Sequence, residues 1–314
     1  MKILITGGAG FIGSNLTQIL LNQNHHITII DNLITGSKKN INHLLNNTNL
    51  VFFQVDLVNF DFSHLSAFDL IYHLASPASP VKYKQYPIET LMVNSVGVKN
   101  LLDFMHKSKS RTLVLASTSE VYGNPLIHPQ PETYWGNVNP NGIRSCYDEG
   151  KRFAESLAMT YFRLYHLDIR IARIFNTYGP KMEKNDGRVI SNFIMQALTQ
   201  QPITIYGTGK QTRSFCYVDD LVSGLIALGN INHLAGQVIN LGTRIEKTVN
   251  EIALLIKKLT HSNSLIINKP LEADDPQKRQ PDISKAKKLL NWEPRIQLED
   301  GLIYTINYFK KHYL

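Results

Sequence analysis

Six short apolar runs punctuate the first half of the chain, separated by amphipathic sequence: "KILIT", "HITIID", "LVFFQVD", "DLIYHLA", "TLVLAS" and "IRIARIF". Continuous apolar runs are what strands buried on both faces require, and the segments between them leave room for crossover helices. The pattern predicts an α/β fold, a doubly wound parallel sheet with helices on both faces. After about residue 175 the alternation loosens into a helix-like stretch over 188–200, a short strand "ITIYG", a loop "TGKQTRSF" and a helix from Asp219. A late strand in "QVINLG" is placed to return to the main sheet. The stretch "DDPQKRQPD" carries too much proline and charge for a core element, and a helical end follows it.

Composition narrows the setting. With 314 residues, 43% of them hydrophobic, the chain can bury a sizeable core as one large domain or two ordinary ones. Its two cysteines, Cys146 and Cys216, have no paired or metal-ligand spacing, so a reducing compartment, no disulfide framework and no metal site are expected. The first strand begins at Lys2, which leaves no room for a signal peptide ahead of it, and no apolar run approaches the ~20 residues of a membrane span. A cytoplasmic protein without a membrane partner is the expectation. The net charge of +8 is scattered, with only short clusters such as Lys38-Lys39 and Lys285 to Lys288, and no nucleic-acid motif accompanies it. No nucleic-acid partner is therefore expected; a small anionic ligand accounts for the charge as well.

Candidate chemistry sits at the ends of the strands. "ITGGAGFIGSNL" sets Gly7, Gly10 and Gly13 directly after a strand and at the opening of a helix. Such a loop permits a tight turn, close approach of backbone to a pyrophosphate, and close packing of helix on strand. The second strand ends at Asp31, 18 residues past Gly13, where a carboxylate accepts from ribose hydroxyls and repels a 2′-phosphate, so NAD is expected rather than NADP. In "CYDEGKRFAESLAMTYF", Tyr147 and Lys151 lie four apart on one helix face. An ammonium beside a phenol is expected to lower its pKa, fitting the phenol to take a proton from an alcohol as hydride leaves. The strand "LVLASTSEVYG" runs into Thr118, Ser119 and Glu120 at the edge where open α/β sheets bind ligands.

Together these motifs resemble the extended short-chain dehydrogenase/reductase family over nearly the whole chain. The resemblance implies a Rossmann domain over 1–175 plus about 236–264, and a UDP-sugar-binding lobe from about 176–235 and 265–314. It implies that Phe11, Ile12, Asn32, Leu57, Leu74 and Ala75 join Gly7, Gly10, Gly13, Asp31, Tyr147 and Lys151 around NAD. Asp56 matches the family's adenine-binding acid, with a helix N-cap as the alternative. Thr118 matches the hydroxyl that holds the reacting sugar oxygen beside Tyr147. Dehydratases of the family carry an Asp-Glu pair after that threonine, and simple epimerases have no acid at the second place. Ser119-Glu120 is instead similar to the decarboxylating members. The longer stretches "HLASPASP", "HPQPETYWGNVNP", "RIFNTYGPKM", "NDGRVISNFI" and "YGTGKQTRSFCYVDDL" resemble the branch that decarboxylates UDP-glucuronate to UDP-xylose.

That resemblance implies UDP-glucuronate as partner and an oxidation at sugar C4 that makes the C5 carboxylate labile. Ser119, Glu120 and Arg279 would serve the sugar, and Asn176, Arg188, Val189, Tyr206, Arg213 and Arg279 would line the UDP-sugar site. It also implies a homodimer built on helices near 88–106 and 148–165, with Leu157, Tyr161 and Leu164 at helical spacing. The chain departs from the family at Met92-Val93, where Lys-Thr is usual, leaving one contact to the substrate carboxylate unaccounted for. An idle NAD-binding scaffold would need a broken site, and Thr118, Tyr147 and Lys151 are all present.

Overall fold

A computed structural model describes residues 1–270 and 276–314. Asp274 and Asp275, which begin the proline- and charge-rich stretch, lie outside the described residues. The first half consists of β1 (Lys2–Thr6), α1 (Phe11–Asn22), β2 (His26–Ile30), β3 (Leu50–Phe53), β4 (Leu70–His73), α2 (Pro80–Gln85), α3 (Pro87–Met92), α4 (Val98–Ser108), β5 (Thr112–Thr118), α5 (Ser145–Tyr165) and β6 (Asp168–Ile174). There follow β7 (Thr177–Tyr178), α6 (Val189–Leu198), β8 (Ile203–Tyr206), β9 (Thr212–Ser214), β10 (Cys216–Tyr217), α7 (Val218–Asn230), β11 (Val238–Leu241) and β12 (Glu246–Thr248). The chain ends with α8 (Val249–Thr260), β13 (Ile266–Lys269), β14 (Lys278–Arg279), α9 (Ser284–Leu290) and α10 (Leu298–Tyr313).

The main sheet is seven-stranded and parallel, in the order β11-β6-β5-β4-β1-β2-β3. Its apolar runs feed two cores, because successive side chains on a strand point to opposite faces. Ile3 and Ile5 of β1 and Val114 of β5 join Leu16 and Leu20 of α1 and Leu221 and Leu225 of α7 on one face. Leu4, Leu113 and Leu115 join Leu101 and Leu102 of α4 and Ala154 and Ala158 of α5 on the other. The strand order reverses between β1 and β4, so the connections leaving their carboxyl ends turn to opposite faces of the sheet and open a crevice there.

The remaining elements stand over that edge. β8 pairs with β13, β9 lies between β12 and β14, and β7 pairs with β10. Helices α6 and α8 pack on each other beside β8. Between α3 and α4 the backbone passes through a π-type turn, Val93–Gly97. Among the described residues no helix is long and apolar enough to cross a membrane.

Candidate active site

The glycine loop is built to receive a flat, anionic group. Gly7 holds a left-handed φ of 77°, and a Cβ on it would stand 2.7 Å from the Ala75 nitrogen. A Cβ on Gly13 would sit 2.1 Å from the Gly7 carbonyl oxygen, so this glycine lets α1 pack against the turn. Gly10 differs: its nearest neighbour to an added Cβ is that carbonyl at 3.3 Å, and otherwise it faces open space. It is also the N-cap of α1, which has no side-chain cap, so the positive end of the helix opens into the crevice. Asp31 follows β2, buried, its two carboxylate oxygens accepting from the backbone N–H groups of Ala9 (2.9 Å) and Leu33 (2.9 Å). Burial pushes its carboxyl up, against those two hydrogen bonds. Asn32 donates to Asp56 across 2.9 Å, and Asp56 also accepts from the Val58 N–H at 2.8 Å. Thus Asp56 ends up closing a turn and holding Asn32 at once.

These residues line two connected hollows. The larger, about 390 Å³, is walled by Gly7, Gly10, Phe11, Ile12, Gly13, Leu74, Tyr147 and Lys151 at its sheet end. The smaller is walled by Asp31, Asn32, Asp56, Leu57 and Ala75, and shares Gly7, Gly10, Thr35, Leu74 and Ser76 with the first. An uncapped helix end, a glycine open to the cavity and a carboxylate at the far end fit a dinucleotide's pyrophosphate and adenosine ribose.

Three consecutive residues at the end of β5 are gripped by successive turns of α5. The Lys151 ammonium donates to the Ala116 carbonyl at 2.9 Å, the Ser117 hydroxyl donates to Glu155 at 2.5 Å, and the Thr118 and Tyr147 hydroxyls share a hydrogen bond. Glu155 in turn takes two hydrogen bonds from Arg173 of β6, at 2.9 and 2.7 Å. The lowered phenol pKa expected from the Tyr147–Lys151 spacing is not what this arrangement gives. Burial pushes Tyr147 up to about 12, against the Thr118 hydrogen bond and the Arg188 charge. The ammonium lies 6.0 Å from the phenol ring centre and is directed to Ala116. Burial also lowers Lys151 itself to about 8, against the pull of Glu155.

Glu120 follows in the tight turn Ser119–Tyr122, which Thr118 caps by accepting from the Glu120 N–H at 3.2 Å. Its carboxylate meets Arg144 on one oxygen and Arg279, at 3.3 Å, on the other. Burial alone would favour the neutral acid; Arg279, Arg144 and Arg213 outweigh it and hold the carboxyl well below the ordinary range. Asp148, beside Tyr147, moves the other way through burial and the Glu120 charge. Tyr83 of α2 stacks on Tyr147 with ring centres 5.0 Å apart and planes 5° from parallel. Neither Tyr83 nor Arg144 stands out in the sequence, though both line the large cavity.

The far wall of that cavity carries Asn176, Arg188, Val189, Tyr206 and Arg213, together with Ser119 and Glu120. Arg279 is not part of the wall. It is 1% exposed, behind Glu120, and donates to the Ser119 carbonyl at 2.7 Å. At the family departure, Met92 is exposed and Val93 lines the smaller hollow, whereas Lys82 of α2 lines the larger one.

Comparison with known proteins agrees with this geometry. The family model for GDP-mannose 4,6 dehydratase matches residues 4–305. UDP-glucuronic acid decarboxylase 1 of Xenopus tropicalis is 51% identical over 310 residues, covering 99% of this chain and 72% of that protein. UDP-glucuronic acid decarboxylase 1 of Arabidopsis thaliana is 51% identical over 314 residues, covering 100% of this chain and 71% of its own. Among solved structures, a UDP-glucuronic acid 4-epimerase variant from Bacillus cereus, in complex with UDP-4-deoxy-4-fluoro-glucuronic acid and NAD, superimposes with a TM-score of 0.92 at 31% identity over 100% of both chains. The epimerase fold is thus shared at lower identity, while the sequence stands nearer the decarboxylases. With a family model matching almost end to end and relatives identical at half of all positions, the chain belongs to the UDP-glucuronic acid decarboxylases of the extended short-chain dehydrogenase/reductase family.

Proposed function

We propose that this protein converts UDP-glucuronate to UDP-xylose and carbon dioxide, with NAD resident in the glycine-loop crevice. The observation that carries the reading is the meeting, in one cavity, of the Thr118–Tyr147–Lys151 grip with a carboxylate ringed by arginines, in a chain half identical to such enzymes. NAD held there would supply a reversible hydride acceptor and a positive charge that offsets the effect of burial and favours the Tyr147 phenolate. Thr118 and Tyr147 hold the C4 oxygen of the sugar, and Tyr147, in its phenolate form, takes the proton. The ketone left at C4 is β to the C6 carboxylate, so the C5–C6 bond breaks, carbon dioxide leaves and the electron pair enters an enolate. C5 then takes a proton that comes from solvent through water, and Tyr147 returns its own proton to the C4 oxygen. Glu120 and Ser119 orient the sugar and handle the proton or water movement at C5. Arg279 acts through Glu120 by keeping it ionised. Asn176, Arg188, Val189, Tyr206 and Arg213 take the UDP portion, where guanidiniums match the diphosphate charge. Asp31 selects NAD, since a 2′-phosphate would meet its carboxylate.

In the same reading, the NAD-binding domain comprises residues 1–175 and about 236–264, and the sugar-binding lobe about 176–235 and 265–314. Two copies pair through α3 and α5, which leave Ile88, Leu91, Met92, Phe153, Leu164 and Tyr165 exposed. Cytoplasmic residence is supported by two buried, unpaired cysteines.

Incubation with UDP-glucuronate tests the reading. Gas release, formation of UDP-xylose and a flat NADH absorbance are expected together, and Glu120→Gln should slow gas release and UDP-xylose formation while NAD still binds. Return of UDP-galacturonate with the C6 carbon retained would mean an epimerase and overturn the proposal.

A further inference from the structure

Arg279 holds its place with few bonds of its own. Its guanidinium makes one hydrogen bond, to the Ser119 carbonyl, while Nε and Nη2 have no hydrogen-bond partner among the described residues. The 3.3 Å approach of Nη2 to Glu120 is an ion-pair distance without hydrogen-bond geometry. Where this guanidinium stands is therefore decided by its backbone. On one side, β14 pairs with β9, Arg279 opposite Arg213. On the other, the strand just past Arg279 is clamped by one fully buried side chain and its backbone. The Gln130 N–H donates to the Gln280 carbonyl, its side-chain oxygen accepts from the Gln280 N–H, and its carbonyl accepts from the Asp282 N–H, each at 2.9 Å.

The same clamp reaches the turn that carries Glu120. Asn240 of β11, also fully buried, donates through its amide to the Gln130 carbonyl (2.9 Å) and the Asp282 carbonyl (3.1 Å). Its amide oxygen accepts from the Tyr122 hydroxyl at 2.8 Å, and Tyr122 closes the turn that begins at Ser119 and includes Glu120. Arg173, the partner of Glu155 on α5, donates to the Tyr122 oxygen at 3.0 Å. One buried amide thus ties the backbone behind Arg279 to the turn behind Glu120, and through Arg173 to the helix that bears Tyr147 and Lys151. We infer that Asn240, with Gln130, is a positioning residue for the reaction: it fixes the separation and angle at which Arg279 faces Glu120. The inference rests on the reading above in which Glu120 serves the sugar and Arg279 acts through Glu120.

A double-mutant cycle separates positioning from mere structural support. Asn240→Ala should lower kcat by about 10- to 100-fold, the scale of an approximately 1 Å misplacement, with KM for UDP-glucuronate and the Kd for NAD within about twofold of wild type. In an Arg279→Gln background the same change should have little further effect on kcat, because it acts through that arginine. Unchanged kcat in Asn240→Ala, or an equal loss in both backgrounds, would overturn the inference. Wild-type turnover by Arg279→Gln alone would instead remove the underlying role of the arginine. Should Asn240→Ala fail to fold, Tyr122→Phe removes a single hydroxyl from the same connection and is read the same way, with a smaller loss expected and additivity again the contrary result.

Discussion

Lys151 places chemistry and stability in opposition. Its ammonium is buried and donates to the Ala116 carbonyl, and burial lowers it from the ordinary 10.5 to about 8. A difference of that size disfavours the folded state by ~3 kcal/mol while the lysine is charged, relative to its neutral form. The sign follows from proton counts. Below pH 8 both states carry the proton and the penalty is full; between 8 and 10.5 only the unfolded chain still binds it, so stability rises with pH. Lys151→Met is therefore expected to abolish turnover yet raise the melting temperature at pH 7, with the gain fading as pH rises past 8. A lower melting temperature at pH 7 would contradict this account. Tyr147→Phe, which removes the proton carrier, should lose at least ~10²-fold in kcat with the fold intact, checked by circular dichroism and NAD binding. Thr118, Glu120, Tyr147 and Lys151 are legible in the sequence because strand ends and helical spacing fix where they point. The direction in which the phenol shifts is not, because nothing in the spacing reveals that the lysine turns to a backbone carbonyl. Tyr83 lies hidden for a related reason: it sits between two lysines on α2, a helix of one and a half turns with no periodicity to mark an inner face.

The glycine loop shows how an element can be read in advance, and how its members differ. An alanine at Gly13 would collide with the backbone at Gly7, so Gly13→Ala should lower both the melting temperature and NAD affinity. At Gly10 the added methyl meets little of the protein and points into the cavity, so Gly10→Ala should keep the melting temperature within a few degrees while weakening NAD binding at least tenfold. Calorimetric titration of the two variants checks the contrast; equal loss of fold in both would refute it. The inner strands were legible because parallel strands buried on both faces must be apolar throughout, and the edge strand β3 was legible because its run Leu50–Phe53 is apolar too although Val51 is exposed. The π-type turn at Val93–Gly97 was not, since the apolar spacing of the flanking helices passes through it without a break. Arg279 was legible as a residue but not as a position: sequence set it in a charged loop, and only the pairing of β14 with β9 carries it behind Glu120.

At the scale of the molecule, the exposed apolar side chains of α3 and α5 carry the pairing proposed above. Phe153→Glu, on the outer face of α5 and away from the cavity, is expected to yield a monomer by light scattering, with NAD affinity unchanged. A dimer of wild-type stability would exclude that face. The return of β11 to the sheet is the feature with the longest reach. Six strands are complete by Ile174, yet the outer edge of β6 is paired only when Val238–Leu241 arrives. At ~5–20 residues per second, the roughly 60 intervening residues keep a growing chain waiting about 3–12 seconds on the ribosome. Throughout that interval a row of unpaired backbone groups faces outward, open to any other strand that passes. Because the late strand also brings Asn240, a chain stopped short of it lacks a sheet edge and an active-site support in one loss, so newly made copies are most vulnerable in the seconds before they are most useful.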